Sequence, residues 1–305
     1  MDPLSDILTL MRPTGYGFRG LDAGGPWALA FSAAIGIRCF AIEEGTCLLR
    51  LAGAPAAIRL EAGDVVLATT DGALTLCSCE EAQPVDAVAF LSGVAAGRTA
   101  ILNGGGDCRG IGGFFAIGGA GMDRIFAALP PVVHVNAGTT RTALYASAQK
   151  LMSELSEPRP GSALLASHLA QALIVEALRA HMDAGKISQG WLSALAVPTL
   201  ARALNAMHAD VARRWTLTAL ADVAGMSRSS FAAHFERVTG DTPIAYLTRW
   251  RMVLAADRMA RSDMTITDVA LSVGYESDSA FGATFKRIMG YSPGRHRQQA
   301  AASLQ

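Results

Sequence analysis

The fold of the C-terminal third is decided by the stretch Leu217-Thr-Ala-Leu-Ala-Asp-Val-Ala-Gly-Met-Ser227, which occurs a second time, slightly changed, as Ile266-Thr-Asp-Val-Ala-Leu-Ser-Val-Gly-Tyr-Glu-Ser277. The glycines of the two copies are 49 residues apart, whereas the phenylalanines that follow them are 50 apart. The second copy therefore has one extra residue just after its glycine, where a turn tolerates insertion. The sequence predicts two similar units.

Each copy predicts a helix-turn-helix. Gly225 and Gly274 supply the positive φ of a turn, and Ser227 and Ser277 follow at the N-cap position of a second helix. Phenylalanines spaced i,i+4 then bury one face of that helix and leave the opposite face open to a DNA groove: Phe231, Phe235, Phe281 and Phe285. The alternative is a helical repeat that packs only on itself, although such repeats usually need three or more copies.

The repeat resembles the AraC/XylS family of transcriptional regulators over about 203–297, most specifically in Gly274-Tyr275, Phe281-x-x-x-Phe285-Lys286 and Gly290-Tyr-Ser-Pro293. The resemblance implies that two helix-turn-helix units enter consecutive major-groove segments on one face of DNA. It also implies a joining helix, which we place at 245–259.

Candidate DNA contacts lie on or beside the two second helices. Residues 196–305 hold 13 Lys and Arg against 9 Asp and Glu, while residues 1–195 hold 13 against 17, so a chain of zero net charge has a basic C-terminal part. The position two before the second phenylalanine of each unit often carries an arginine in relatives but is alanine here, so long base-reading side chains are few. The candidates are Arg228, Ser229, Ser230, Ala233, His234, Arg237, Thr267, Ser277, Asp278, Ser279, Ala283, Lys286 and Arg287.

The first 125 residues predict a small β domain. Short apolar runs such as 37–42 and 65–68 alternate with glycine- and aspartate-containing turns at the spacing of an antiparallel barrel or sandwich. Phe40-Ala-Ile-Glu-Glu-Gly45, Arg59-Leu-Glu-Ala-Gly-Asp64 and Leu129-Pro-Pro-Val-Val-His134 resemble the cupin-type sensor domain of some AraC-like regulators. Catalytic cupins bind a metal through histidines, and no histidine precedes His134. We therefore expect no catalytic residues, no metal site and no cofactor.

The five cysteines predict no disulfide framework in a cytosolic protein. Buried small apolar residues are the default interpretation, and sensing of oxidants or electrophiles by exposed, low-pKa thiols is the alternative. The candidates for an effector or redox site are Cys39, Cys47, Cys77 and Cys79.

Between these parts, a helix predicted at 162–182 is apolar over more than half its circumference. We expect Leu165, Leu169 and Leu173 to join two subunits, with a bundle inside one chain as the alternative.

The combined prediction is an α+β protein with a cupin-like antiparallel β-barrel at 1–135, a linker with dimerisation helices at 136–195, and an all-α domain with two helix-turn-helix units at 196–305. Its predicted function is sequence-specific transcriptional regulation, not catalysis, under the control of a small-molecule or oxidant effector. The expected partners are double-stranded DNA, a second copy of the chain and, for an activator, RNA polymerase. We expect a cytoplasmic protein that does not associate with a membrane. The alternative is a non-metal cupin-like small-molecule-binding protein or enzyme with a helical appendage.

Overall fold

The computed structural model describes residues 2–10, 13–34, 36–117, 129–136, 138–184 and 190–302. The chain divides into two compact units. The sheet unit is built from residues 13–117 and 131–184, and the helical unit from residues 1–12, 118–130 and 185–305.

The sheet unit contains strands followed by two long helices. Its elements are β1 (Pro13–Ala23), β2 (Ala28–Phe31), β3 (Gly36–Glu44), β4 (Thr46–Leu51), β5 (Ile58–Glu61), β6 (Val65–Ala68), β7 (Leu74–Cys77), β8 (Pro84–Asp86), β9 (Thr99–Leu102), β10 (Cys108–Ile117) and β11 (Val132–Val135), with helices α2 (Ala87–Ser92), α3 (Gly138–Ser156) and α4 (Ser162–Asp183).

The strands form two sheets, in the orders β11-β6-β3-β10-β1-β9 and β5-β4-β7-β2-β8. The α+β class is confirmed, but the prediction of a closed antiparallel barrel is wrong in detail. Each sheet keeps its own edge strands, and the pairs β1–β9 and β2–β8 are parallel. The parallel strands β9 and β8 each lie at one edge of a sheet, so the antiparallel pairing ends there and does not close the sheets into a barrel.

Alternation along β3 explains how three layers pack. Phe40 and Ile42 point between the two sheets, into a core that also includes Leu49 and Leu76 of the second sheet. The intervening side chains, such as Cys39, lie on the other face of the first sheet, and α3 and α4 contact β1 and β6 of that sheet. One sheet is therefore buried on both faces, which accounts for the unbroken burial of β3 from Gly36 to Ile42.

The helical unit contains short helices around one long helix. Its elements are α1 (Pro3–Leu10), α5 (Trp191–Leu195), α6 (Pro198–Ala209), α7 (Leu217–Ala224), α8 (Arg228–Thr239), α9 (Pro243–Arg261), α10 (Ile266–Ser272), α11 (Asp278–Met289) and α12 (Pro293–Ala302).

Helix α9 joins the two repeats, as the sequence predicted, and is a turn longer than 245–259. Thr242 caps it by accepting a hydrogen bond from the backbone N–H of Ala245 at 3.3 Å. The N-terminal half of α9 buries Tyr246 and Trp250 near the first repeat, and its C-terminal half buries Met252 in the core of the second. A helix of 19 residues is about 28 Å long, so it separates the two repeats by most of one DNA turn.

Helix α4 has the length and mean hydropathy of a membrane-spanning segment. It packs on α3 and on β11, and it buries Ala170, Leu173 and Leu178. These contacts cover part of its apolar surface within the protein.

Candidate nucleic-acid interface

The turn of the first helix-turn-helix is fixed by a glycine, a serine and an arginine. Gly225 has φ of 68°, a conformation that favours glycine, and its backbone N–H closes the end of α7 on Ala221. Ser227 accepts a hydrogen bond from the backbone N–H of Ser230 at 3.3 Å and so starts α8. From α6, Arg202 donates to the last carbonyl groups of α7, which would otherwise lack partners.

The second helix-turn-helix repeats this design with a longer turn. Thr265 and Asp268 form a capping box at the start of α10, and Ser277 accepts from the backbone N–H of Ala280 at 3.4 Å. Gly274 has φ of 82°, and a Cβ there would lie 2.4 Å from the carbonyl oxygen of Ala212. The prediction of two equivalent turns with one extra residue after the second glycine is confirmed.

The phenylalanine pairs anchor the two second helices. Phe231 and Phe235 are fully buried with ring centroids 5.7 Å apart, and Phe281 and Phe285 are fully buried at 5.6 Å. Burying one face at i,i+4 spacing leaves the opposite face of α8 and of α11 exposed, as predicted from the sequence.

The structure places most of the predicted contact residues on those exposed faces. His234 is half-buried on α8. The exposed members of the predicted set are Arg228, Ser229, Ser230, Ala233, Arg237, Thr267, Ser277, Asp278, Ser279, Ala283, Lys286 and Arg287.

Several of these side chains already hydrogen-bond within the protein. The hydroxyl of Ser230 lies 2.9 Å from that of Ser227, and the hydroxyl of Thr267 donates to a carboxylate oxygen of Asp278 at 2.7 Å. Thr267 thereby holds the Asp278 side chain at the N-terminal end of α11. The spacing of eleven residues gives no sequence signal for this contact, which the turn alone creates.

The cations of the helical unit divide into two groups. Arg249 forms two hydrogen bonds with Asp241, at 2.6 and 2.8 Å, and Arg297 donates to the carbonyl of Met264, so these guanidinium groups hold the fold together. By contrast, none of the four cations on α8 and α11 lies within 4.0 Å of a carboxylate in the described part of the chain: Arg228, Arg237, Lys286 and Arg287. Exposed cations that are not neutralised by the protein suit contacts with phosphate.

A buried polar cluster that the sequence did not reveal ties α1 to this unit. The His208 ring stacks on Trp250 at 4.4 Å, with Nδ1 3.1 Å from an Asp6 carboxylate oxygen and Nε2 2.8 Å from the Tyr246 hydroxyl. The consistent arrangement is a neutral imidazole that donates from Nδ1 to Asp6 and accepts at Nε2 from Tyr246. Burial, opposed by the hydrogen bond to Asp6, lowers the pKa of His208 to about 4.

The predicted redox candidates are mostly buried. Cys39, Cys47 and Cys77 are buried, as is Cys108, and Cys79 is half-exposed just beyond the end of β7. Burial raises the pKa of Cys39 to about 12, and contact with Cys108 together with burial raises the pKa of Cys47. A reactive thiol needs the opposite environment, so Cys39, Cys47 and Cys77, whose pKa burial also raises, fit the default interpretation of small buried apolar groups. The hydrogen bond with Cys47 instead lowers the pKa of Cys108.

The three leucines expected at a subunit contact lie in different environments. Leu165 is 42% exposed and Leu169 is half-buried, but Leu173 is 1% exposed and packs within its own chain. Leu173 therefore cannot contact a second subunit, contrary to the expectation from the helical pattern. Leu164, 66% exposed, takes its place on the accessible surface of α4.

No group of three or more His, Cys, Asp or Glu side chains suited to hold a metal ion occurs among the residues that the structure describes. The pair His134 and Asp64, 3.0 Å apart, connects β11 to the turn before β6. Asp64 also accepts from the backbone N–H of Glu61, so the pair stabilises that turn.

Comparison with known proteins finds a matching family for the N-terminal part of the chain and another for the C-terminal part. The family model described as Cupin matches residues 2–183, and the model described as Helix-turn-helix domain matches residues 220–299. AraC-like transcription regulators of Streptomyces lividans and Streptomyces antibioticus are each 39% identical over 300 residues, which are 98% of this chain and 98% and 99% of theirs. The HTH-type transcriptional regulator AlkR of Acinetobacter baylyi is 36% identical over 176 residues, 57% of this chain and 58% of that protein. A cupin-containing N-terminal part, two helix-turn-helix units with open second helices, and relatives that match along the whole chain together show that this protein belongs to the AraC-like transcription regulators.

Proposed function

We propose that α8 and α11 enter successive major-groove segments on one face of double-stranded DNA. The observation that carries this proposal is the pair of exposed helix faces, each bearing two cations without a carboxylate partner, at the two ends of the rigid helix α9. In such docking the N-terminal residues of each recognition helix contact base edges, which assigns base contacts to Arg228, Ser229, Asp278 and Ser279. Arg237, Lys286 and Arg287 lie further along the helices and suit phosphate contacts.

The test is selection of binding sites from a random duplex library with the full chain, followed by hydroxyl-radical footprinting on the selected site. The proposal expects two protected segments about ten base pairs apart on one face of the duplex. A single protected segment, or no enrichment of any sequence at low salt, would contradict it.

We further propose that the sheet unit controls DNA binding by holding a small-molecule effector. The cupin match and the buried thiols support a small molecule over an oxidant as the signal. An oxidant sensor would need an accessible thiolate. Treatment of the full chain with a mild peroxide is therefore expected to leave its affinity for the selected site unchanged, and a cysteine-dependent change would favour the oxidant.

We also propose a homodimer joined through the exposed surface of α4 that includes Leu164 and Leu165. Exposed leucines on an apolar helix favour a protein contact. Equilibrium sedimentation of the full chain should show a dimer at micromolar concentration, and Leu164→Glu with Leu165→Glu should give a monomer. The monomer should keep its affinity for a half-site and lose affinity for a full site, because the second binding event loses its high effective concentration. A monomeric wild type would remove α4 from this role.

The proposed regulatory function also bears on the cellular location, a further protein partner and catalysis. We propose that this regulator acts in the cytoplasm and that, if it is an activator, it also contacts RNA polymerase. Catalysis is not part of the proposed function, since the relatives that match along the whole chain are transcription regulators.

A further inference from the structure

The sheet unit contains a cavity of about 420 Å³ between its two sheets. Apolar side chains form most of its wall, including Trp27, Leu29, Phe31, Phe40, Ile42 and Leu76. The volume lies within the range of about 300–1,000 Å³ typical of small-molecule sites. Helix α2 lies at the mouth of the cavity, where Val88 is exposed.

The strand register explains why the space is open. On the first sheet, Phe40 pairs with Gly112 and Ile42 pairs with Gly110, so each large side chain has no side chain opposite it on β10. A Cβ added at Gly112 would meet only the ring of Phe40, at 3.7 and 3.9 Å, which is ordinary contact. A larger side chain at this position would extend into the cavity.

A buried guanidinium lies on the same face of the sheet. Arg38 is two residues before Phe40, lines the cavity, and is 4% exposed. It donates to the backbone carbonyls of Ser32 and Gly72, and its guanidinium carbon lies 5.8 Å from the centre of the Phe114 ring. Burial lowers the pKa of the Arg38 guanidinium, which measures the cost of keeping this charge away from water.

In the part of the chain that the structure describes, the charge of Arg38 has no counter-charge. Among the described residues, no carboxylate oxygen lies within 4.0 Å of its nitrogens, and the same holds for Arg19, which also lines the cavity. Arg19 donates from Nε to the carbonyl oxygen of Val94 at 2.6 Å, and its remaining N–H groups have no partner among the described residues. A buried charge without a partner is strongly unfavourable, and the planar guanidinium matches a carboxylate best.

We propose that this cavity binds one small carboxylic acid with an apolar body, its carboxylate on Arg38 with Arg19 beside it and its body among the aromatic side chains of the two sheets. The proposal deepens the sensor role proposed above and rests on it. The apolar wall selects against sugars and other polyols, which would leave hydroxyl groups without partners. The acid can be aliphatic or aromatic, because the described wall contains both kinds of side chain.

The test is isothermal titration calorimetry of the full chain with two acids and their matched alcohols. The probes are octanoate and 3-phenylpropionate against 1-octanol and 3-phenylpropan-1-ol, so that each pair differs only in the charged end. We expect at least one acid to bind, and to bind at least about tenfold tighter than its alcohol, because charge-assisted hydrogen bonds replace neutral ones. Which of the two acids binds shows whether the body of the natural ligand is aliphatic or aromatic. Fluorescence of the four tryptophans, of which Trp27 lies in the cavity wall, gives a second reading of occupancy.

Variants locate the site. Arg38→Met removes the charge at similar length and should weaken acid binding at least about tenfold, and Gly112→Leu should abolish it by filling the cavity. Arg59→Met is the matched control, since Arg59 is exposed on β5 and pairs only with the exposed Glu61 in the described structure. If Arg38→Met fails to fold, Gly112→Leu and the comparison of acid with alcohol on the wild type still decide the question.

No binding of either acid at millimolar concentration, or equal binding of acid and alcohol, would overturn the proposal. Acid binding that survives both Arg38→Met and Gly112→Leu would also overturn it. DNA binding by the same preparation is measured separately. Specific DNA binding without acid binding rejects this ligand and leaves the regulator intact, whereas acid binding without specific DNA binding rejects the regulator.

Discussion

The two helix-turn-helix units share a core design but differ in the charge at the start of the second helix. Helix α8 begins with Arg228, whereas α11 begins with Asp278, which Thr267 holds in place. Helix α11 instead concentrates its cations, Lys286 and Arg287, in its last turn. The buried faces are nearly interchangeable, and the exposed faces are not.

From this difference we predict different tasks for the two helix-turn-helix units. Arginine at a recognition-helix N-terminus suits the acceptors of guanine, and a carboxylate suits the amino group of cytosine and repels phosphate. We therefore expect the first unit to contribute both affinity and base preference through Arg228. The second unit should take its affinity from Lys286 and Arg287 and its base preference from Asp278.

Truncating the equivalent phenylalanines tests the shared part of the design. Phe235→Ala and Phe285→Ala each remove a fully buried ring, so each should lower the free energy of unfolding of the helical unit by about 3–5 kcal/mol. Urea unfolding of the full chain measures the loss. Values that differ by several kcal/mol between the two sites would show that the cores are not equivalent.

Acid should separate the two helix-turn-helix units. In the described structure, α1 contacts His208, which in turn contacts Tyr246 and Trp250 in the half of α9 beside the first unit. The folded protein keeps His208 neutral with a pKa of about 4, whereas the unfolded chain protonates it near 6.5. The stabilisation is complete above pH 6.5 and is lost as the pH falls through that window, by about 3 kcal/mol.

The readout is the pH dependence of unfolding for wild type and His208→Gln, since the variant removes the titrating imidazole and keeps every carboxyl group of the chain. Wild type should lose more stability than the variant between pH 7 and pH 4.5. Hydrogen exchange should show the loss first in α6 and α8 rather than in α11. Parallel pH profiles for the two proteins would contradict the assignment.

The shared part of the design was predictable from the sequence because it depends on local signals. A glycine, a serine cap and an i,i+4 phenylalanine pair each act within a dozen residues, and all appear in the structure where the sequence placed them. The contacts that join distant residues were not predictable in this way. His208 and Asp6 are 202 residues apart in the sequence. Thr267 contacts Asp278 only because the turn brings two helix ends together.

The candidate sites show the same limit. The exposed face of α8 follows from helical periodicity, whereas the burial of Leu173 and the missing counter-charge of Arg38 depend on which layers cover them. The pattern of short strands predicted the sheets but not their edges. Parallel pairing of β8 and β9 at those edges is a long-range feature of topology.

The two turn glycines should respond differently to alanine. Both adopt positive φ, but a Cβ at Gly274 meets the Ala212 carbonyl oxygen at 2.4 Å, whereas at Gly225 it meets the movable end of Arg202 at 3.2 Å. We expect Gly225→Ala to cost about 1 kcal/mol and Gly274→Ala about 3 kcal/mol. Thermal unfolding of the two variants gives the order, and an equal or reversed order would show that the second turn relaxes.

Removing single cations should have the smallest effects. Lys286→Ala should weaken binding by about 1 kcal/mol for all sequences and reduce the slope of log affinity against log salt by about one. Arg261→Ala is the matched control, because Arg261 pairs with Asp257 at 3.7 Å and lies off α8 and α11. An unchanged salt slope for Lys286→Ala would remove this side chain from the phosphate contacts.

The central claim is that the two helix-turn-helix units have the same core design but recognise different base pairs. One binding experiment tests it most directly. Fluorescence anisotropy of the full chain is measured on the selected site with each base pair substituted in turn, for wild type, Arg228→Ala and Asp278→Ala. The account predicts that Arg228→Ala loses about 1–3 kcal/mol of discrimination at one or two base pairs in one half of the site, and that Asp278→Ala changes preference only in the other half. If both variants alter the same base pairs, or if neither changes the preference of the wild type, the division of recognition between the units is contradicted.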